Sequence, residues 1–320
     1  MTALHVIVCG SNYGRAYLRA IERVPQRYRL AGILARGSER STRLAEKYGA
    51  PLYREISEVP ARVSIACAAI GSEGKEVHLA LLARGVHVLC EHPQTARHLR
   101  QALETAAARS VCFHINGHFV DLEAPVAFIH CAERLRPSRP VYMSIAATER
   151  SLYATLDIAK RALTALRPFD LARLRQSEPF LRLQGLLGGV TTDFHLQLSP
   201  EGTIFDDGSS DYAVDFRLTF FYPRGILSLL SVSGPVVWHE RYSRAIDPSR
   251  PLWSAEHFTC KSLLQLGEDR ISANVRALDA LAENISSGRV PPHQAPDYLL
   301  EVAEAWEHVG AVSVTAERGE

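Results

Sequence analysis

The sequence lacks an excess of charge of either sign, a long apolar run and closely spaced cysteines. Lys+Arg 36 against Asp+Glu 35 leave a formal charge of +1, so no basic face marks a binder of nucleic acid or of an anionic membrane. The first apolar run, Leu4–Cys9, has no basic segment before it and reaches a glycine turn too soon for a signal peptide or a membrane span. A cytoplasmic protein is the expectation. The six cysteines (Cys9, Cys67, Cys90, Cys112, Cys131 and Cys260) include no C-x-x-C pair. That spacing argues against a disulfide framework and against zinc, and no metal is expected. Internal repeats and low-complexity stretches are absent as well. What remains is ordinary globular composition, 47% hydrophobic and 22% charged, in 320 residues, enough for two cores.

The first third alternates short apolar runs with amphipathic stretches. Leu4–Cys9, Leu30–Ala35, Val63–Ile70, Val86–Cys90 and Val111–Ile115 read as buried strands. Arg15–Arg23, Ser41–Tyr48, Glu76–Arg84 and Ala96–Ala108 read as the helices between them, with Gly49 and Gly85 as stops. The pattern predicts an α/β fold, a Rossmann doubly wound parallel sheet over residues 1–120. After about residue 120 helices at Glu123–Leu135 and Leu152–Leu166 flank an extended Val141–Ala146. From Phe180 strand-like segments dominate: Tyr212, Val214, Phe216, Leu218 and Phe220 alternate, and Pro223–Gly225 supplies a hairpin turn. Residues 121–320 are therefore expected to form an α+β domain with a largely antiparallel, open-faced sheet, for substrate and dimerisation. The closing helix Asp297–Val309 could return to either domain. An uncovered sheet face makes a homodimer the expected assembly.

Gly10-Ser11-Asn12-Tyr13-Gly14 follows a strand and opens a helix, where free backbone N–H groups and the helix dipole receive a pyrophosphate. Asn12 replaces the middle glycine of the full G-x-G-x-x-G motif, so the turn alone is also read as a plain strand–helix link. At the end of the second strand, where NAD enzymes carry an acid for the ribose hydroxyls, stands Ala35-Arg36-Gly37-Ser38-Glu39-Arg40-Ser41. Arg36, Ser38 and Arg40 suit a 2′-phosphate, which points to NADPH. A solvated basic turn that caps the next helix is the plainer reading of the same residues.

Val63–Pro93 resembles the central segment of the glucose–fructose oxidoreductase / inositol dehydrogenase group, which joins a Rossmann domain to an open-faced antiparallel sheet. In that group the segment ends in Glu-Lys-Pro, with a lysine that commonly helps catalysis on a sugar hydroxyl. Here it is Glu91-His92-Pro93, and none of the four lysines (Lys47, Lys75, Lys160 and Lys261) lies nearby in sequence. The stretches GSNYGRAYLRA, ARGSERS, CEHP, FHINGHF and GGVTTDFH are similar to the thiazolinyl imine reductase family of siderophore assembly lines, most clearly over the first 130 residues. The resemblance implies hydride transfer from NADPH to a thiazoline C=N on a substrate held by a carrier domain of a nonribosomal peptide synthetase, as in pyochelin or yersiniabactin synthesis. Some members of that family have a tyrosine, proposed as proton donor, where this chain has Phe119; the donor then lies elsewhere, or the substrate turns differently, or water serves.

An imine gains a proton at nitrogen, so the site needs an acid of near-neutral pKa. His92, at the carboxyl end of a parallel strand and in place of the superfamily's lysine, is the first candidate; packing on the ribose or ordering of the Pro93 turn is the alternative. His114, Asn116 and His118 alternate, and Asn116 and His118 are candidates for the nicotinamide pocket, with His114 equally a core residue. Glu91 is a candidate contact of the nicotinamide ribose, Tyr13 of the pyrophosphate or ring, and Ser72 of the adenosine side. Asp193 and His195 are substrate candidates, though a surface or sheet position accounts for them too. His78 reads as structural. The arginines of Arg134–Arg139 are either a greeting for an acidic carrier domain or simply solvated. A dehydrogenase of a diffusible sugar, inositol or cyclic imine is the competing function, and a non-catalytic NADP-binding regulator the third.

Overall fold

The computed structural model describes residues 3–71, 74–177, 180–198, 215–243, 249 and 251–314. The chain divides into two compact units, residues 1–118 with 267–300 and residues 119–266 with 301 onward. The sequence reading ends the first domain at residue 120 and leaves the closing helix open to either; residues 267–300 group with the first unit.

In the first unit β1 (Leu4–Cys9), β2 (Tyr28–Leu34), β3 (Leu52–Tyr53), β4 (Ile65–Ala68), β5 (His87–Glu91) and β6 (Phe113–Asn116) form one sheet in the order 3-2-1-4-5-6. Every pairing is parallel. Val6, Ile7, Val8 and Cys9 of β1 and all of β4 have no exposed surface, as expected of strands covered on both faces. The connecting helices are α1 (Gly14–Arg23), α2 (Glu39–Lys47), α3 (Lys75–Ala83) and α4 (Ala96–Ala108). Gly49 and Gly85 follow two of them at φ +56 and +81, the left-handed geometry that ends a helix.

The long helix α7 (Leu263–Ser287) was not legible as such, and from Gly267 it belongs to this unit. Its Ile271, Val275, Leu278 and Leu281 join the core built on Tyr17, Leu18 and Ile21 of α1. Beyond it, the Gln294 amide accepts from Ile115 N–H at 2.8 Å and donates to Ile115 C=O at 2.9 Å, covering the backbone of edge strand β6. His114 is a core residue, bonded through Nε2 to Asn284 Oδ1 at 2.9 Å; burial pushes its pKa down to about 4. His78 is likewise enclosed, 3.1 Å from His98 and beside Cys90.

The second unit carries α5 (Glu123–Arg134), β7 (Tyr142–Thr148), α6 (Leu152–Leu163), β8 (Phe169–Ser177), β9 (Phe180–Leu187), β10 (Val190–Gln197), β11 (Phe216–Tyr222), β12 (Gly225–Leu229), β13 (Val236–Glu240) and β14 (Trp253–His257). The last helix, α8, runs Pro296–Val314. The sheet order is 14-13-12-11-7-10-9-8, antiparallel except between β7 and β10. Tyr222 pairs with Gly225 around Pro223 and Arg224, the hairpin read from sequence. Residues 201–210 and the alternating residues Tyr212 and Val214 lie outside the described residues. One sheet face, with Phe216, Leu218 and Phe220, is buried; Phe128 of α5 meets Phe220 edge-on at 5.1 Å.

Glu301 closes this unit. It pairs with buried Lys160 and accepts the N–H groups of Leu166 and Arg167 at 2.6 and 2.8 Å. Glu301→Ala would leave a desolvated ammonium and two orphaned donors. It is expected to destabilise the protein by about 3–5 kcal/mol in denaturant melts; a change below about 1 kcal/mol would contradict this role.

Candidate functional site

Because all six strands of the first unit run the same way, their carboxyl ends share one edge. Ligands of open α/β sheets bind at that edge, where the strand order reverses, here between β1 and β4. Gly10 leaves β1 with φ +91, and a Cβ there would sit 2.5 Å from Ala69 O. Gly14 opens α1, and a Cβ there would stand 3.0 Å from Val8 Cγ1, so it permits close approach of helix to strand. Ser11 is buried and Asn12 exposed. These two glycines let the turn pack closely against β4 and β1 despite the missing middle glycine.

After β2, Arg36 and Arg40 are exposed, and Arg40 Nε donates to Ser11 Oγ at 3.2 Å. Gly37 has φ +81. Ser38 caps α2, its Oγ accepting from Ser41 N–H at 3.3 Å. Capping is thus real, and it leaves the arginines available. Glu39 pairs with Arg43 along α2. Ser72 lies outside the described residues.

At the ends of β5 and β6 a polar cluster assembles. Glu91 accepts from Tyr17 OH and from Asn116 Nδ2 at 2.8 Å. Asn116 Nδ2 also lies 2.7 Å from Tyr17 OH and 2.7 Å from Asn274 Oδ1 on α7. Two hydrogens therefore serve three acceptors. Burial raises the Glu91 pKa to about 7, opposed by the bonds from Tyr17 and Asn116. Asn116 Oδ1 is buried with no hydrogen-bond partner among the described residues, an open acceptor that the hydroxyls or carboxamide of a nicotinamide nucleotide suit.

The rings of Tyr13, His92 and His118 complete the cluster. Tyr13 OH lies 3.1 Å from His118 Nδ1 and accepts from Asn274 Nδ2 at 3.3 Å. That leaves the phenolic proton for Nδ1 and fixes the His118 tautomer with hydrogen on Nε2. Burial holds His118 well below the usual imidazole range, with His92 and Arg270 adding to it, so the ring is neutral near pH 7. Burial, then Glu91, raises the Tyr13 phenol, and the same causes raise Tyr17, so neither is an effective acid at neutral pH. His92 stacks on His118, centroids 6.0 Å apart and planes 20° apart.

Sequence reasoning missed Tyr17 and Asn274. Tyr17 reads as helix core, and Asn274 sits in a helix with no motif around it.

The Glu91 carboxyl binds its proton more tightly folded than unfolded, so folding is favoured below its unfolded pKa of about 4.5. That advantage is lost as pH rises to about 7. Glu91→Gln, which keeps the acceptor for Tyr17, is expected to gain up to about 3 kcal/mol relative to wild type at pH 8 and little at pH 4. Equal differences at both pH values would contradict this.

The remaining candidates lie in the second unit. Asp193 and His195 point to the sheet face opposite Phe194 and Leu218, by their register with Ser144 and Ala146 of β7. Asp193 Oδ2 receives Arg182 Nη2 at 2.8 Å; hydrogen bonds from Tyr142 and Arg182 hold its carboxyl below the usual range against the effect of burial. This is a sheet-face ion pair, the plainer of the two readings. Phe119 meets Phe216 edge-on at 6.2 Å. Arg134 pairs with Glu256 and Arg136 with Glu133. Among the described residues no cluster of His, Cys, Asp or Glu has the geometry to hold a metal, and no helix is long and apolar enough to cross a membrane.

Residues 4–117 match the model of the Gfo/Idh/MocA oxidoreductase family, NAD-binding Rossmann fold. The match is confined to this segment, which resembles that family's nucleotide-binding domain, and it agrees with the parallel sheet and the glycine turn. No curated protein matches the chain by sequence. Solved structures are similar in fold over nearly the whole chain at low identity. GenD2 from gentamicin A biosynthesis, in complex with NAD, is 16% identical over 99% of this chain and 95% of its own, with TM-score 0.71. An oxidoreductase from Agrobacterium radiobacter in complex with NAD+, L-tartaric acid and magnesium is 13% identical over 98% and 97%, with TM-score 0.74. UDP-N-acetylglucosamine 3-dehydrogenase GnnA from Acidithiobacillus ferrooxidans is 15% identical over 98% of each chain, with TM-score 0.72. At such identities the likeness is one of fold, and substrate is argued from the site.

Proposed function

We propose that the protein is an NADPH-dependent reductase that converts a thiazoline C=N to a thiazolidine on a siderophore intermediate. The intermediate is carried by a carrier domain of a nonribosomal peptide synthetase. The observation that carries the reading is His92 stacked on His118 where polyol dehydrogenases of the superfamily have lysine. Lys160 pairs with Glu301, Lys261 pairs with Glu123, Lys47 lies over the Tyr48 ring and Lys75 starts α3. An imine needs a positioned acid, and the residue after β5 in the lysine's place is an imidazole.

NADPH, when bound, supplies the hydride. Gly10–Gly14 would receive its pyrophosphate and Arg36, Ser38 and Arg40 its 2′-phosphate. His92 donates the proton to the ring nitrogen. Neutral His118, held by Tyr13 and Asn274, supports the His92 ring without competing as an acid. Phe119, where some members of the resembled family have tyrosine, has no proton to donate. Incubation of the carrier-loaded thiazoline with NADPH deuterated at the reactive carbon tests this: the product gains one deuterium on the ring carbon. Product carrying no deuterium would refute it.

The uncovered face of the second sheet is the proposed homodimer contact. It carries Tyr142, Phe221 and Ile226, aligned by register with Trp253, which is 62% exposed. Trp253→Asp is expected to shift the sedimenting species from dimer to monomer. A wild-type monomer would contradict the assignment.

A further inference from the structure

Arg54 follows β3 in a stretch, Leu52-Tyr53-Arg54-Glu55, that carries no cofactor motif. In the structure its guanidinium lies across Gly37: a Cβ at residue 37 would fall 2.8 Å from Arg54 Nε and 3.1 Å from Cζ. Gly37 is therefore the gap that admits this side chain, between Arg36 and the capping Ser38.

Two of the local acids have partners of their own. Glu39 is engaged by Arg43. Glu58 accepts the backbone N–H groups of Arg54 and Glu55 at 2.6 and 3.2 Å, which closes the short turn after β3 and fixes where the arginine starts. None of Arg36, Arg40 and Arg54 forms an ion pair among the described residues. Arg40 instead ties the segment to Ser11 of the glycine turn. Two neighbouring loops at the ligand-binding edge thus present three guanidinium groups, with the Glu58 carboxylate on the Arg54 side as their nearby counter-charge. Three such groups suit a phosphate monoester, which carries close to two negative charges near neutral pH.

We infer that Arg54 is a specificity-determining residue that clamps the 2′-phosphate of the cofactor from the β3 side, opposite Arg36 and Arg40. The inference rests on the NADPH reading above and adds the residue that makes it selective. A planar guanidinium held across a glycine offers two parallel N–H donors to phosphate oxygens, which lysine cannot reproduce.

The test needs no turnover. Adenosine 2′,5′-bisphosphate and adenosine 5′-monophosphate are titrated calorimetrically into the full-length wild type, Arg54→Ala and Arg54→Lys. The wild type binds the bisphosphate more tightly. Arg54→Ala weakens the bisphosphate at least tenfold and leaves the monophosphate within twofold; Arg54→Lys restores only part of the loss. If Arg54→Ala keeps the full bisphosphate preference, or loses both ligands equally, the Arg54 assignment is overturned while the NADPH reading stands. If the wild type shows no preference, the NADPH reading fails and Arg54 with it.

Discussion

In His92→Ala, reduction of a thiazoline slows by about 10²–10³-fold while the dissociation constant for NADPH stays within about threefold of wild type. The expectation follows from elimination within the cluster. Tyr13 and Tyr17 are phenols pushed away from neutral pKa by burial. His118 is kept neutral and already receives the Tyr13 proton. Phe119 has none to give. Burial pushes the Glu91 pKa up to about 7, and its Oε1 is engaged by Tyr17 and Asn116. His92, on the ligand-binding edge and in contact with His118, is the remaining imidazole. Single-turnover rates with NADPH binding measured separately distinguish the two effects. Unchanged turnover removes His92 as the acid, and a parallel loss of binding makes it a packing residue.

Gly10→Ala abolishes useful cofactor binding, weakening NADPH by at least about 100-fold. The reason is local geometry. The φ of +91 is costly for any residue with a Cβ, by about 1–3 kcal/mol, and the methyl group would stand 2.5 Å from the Ala69 carbonyl, which is backbone and cannot step aside. The turn must then move, and it is the turn that faces the pyrophosphate. Gly14→Ala is milder, because its methyl meets the Val8 side chain at 3.0 Å and helical φ suits alanine. Fluorescence titration of both variants, with far-ultraviolet circular dichroism to verify folding, checks the contrast. Equal affinities in Gly10→Ala and wild type would mean that the turn does not hold the cofactor.

The parallel sheet was legible in the sequence because its signals are local. Leu4–Cys9 and Ala96–Ala108 have the predicted ends, and α2 begins two residues early, at Glu39, because Ser38 caps it. The second sheet was legible as a type more than strand by strand. From Phe180 the strand-like pattern has no clear ends, and it is Gly188 and Gly189, with φ +64 and +73, that form the tight turn between β9 and β10.

What was not legible depends on partners far along the chain. Asn274 reaches Asn116 across 158 residues, and Gln294 reaches Ile115 across 179. Buried amides look like surface residues until their partners are known. Arg54 meets Gly37 only because β2 and β3 are neighbours in the sheet. Asp193 and His195 alternate because they share one face of β10, where Asp193 pairs with Arg182 of β9.

The most direct test of the central claim is the loss of the reduced nicotinamide absorbance band when a synthetic hydroxyphenyl-thiazoline is added to the enzyme with NADPH, with NADH run alongside. The account predicts steady oxidation of NADPH, much slower oxidation of NADH, and a thiazolidine product. NADPH that binds but is not consumed with any thiazoline, while NADP+ is reduced by a polyol, would contradict it.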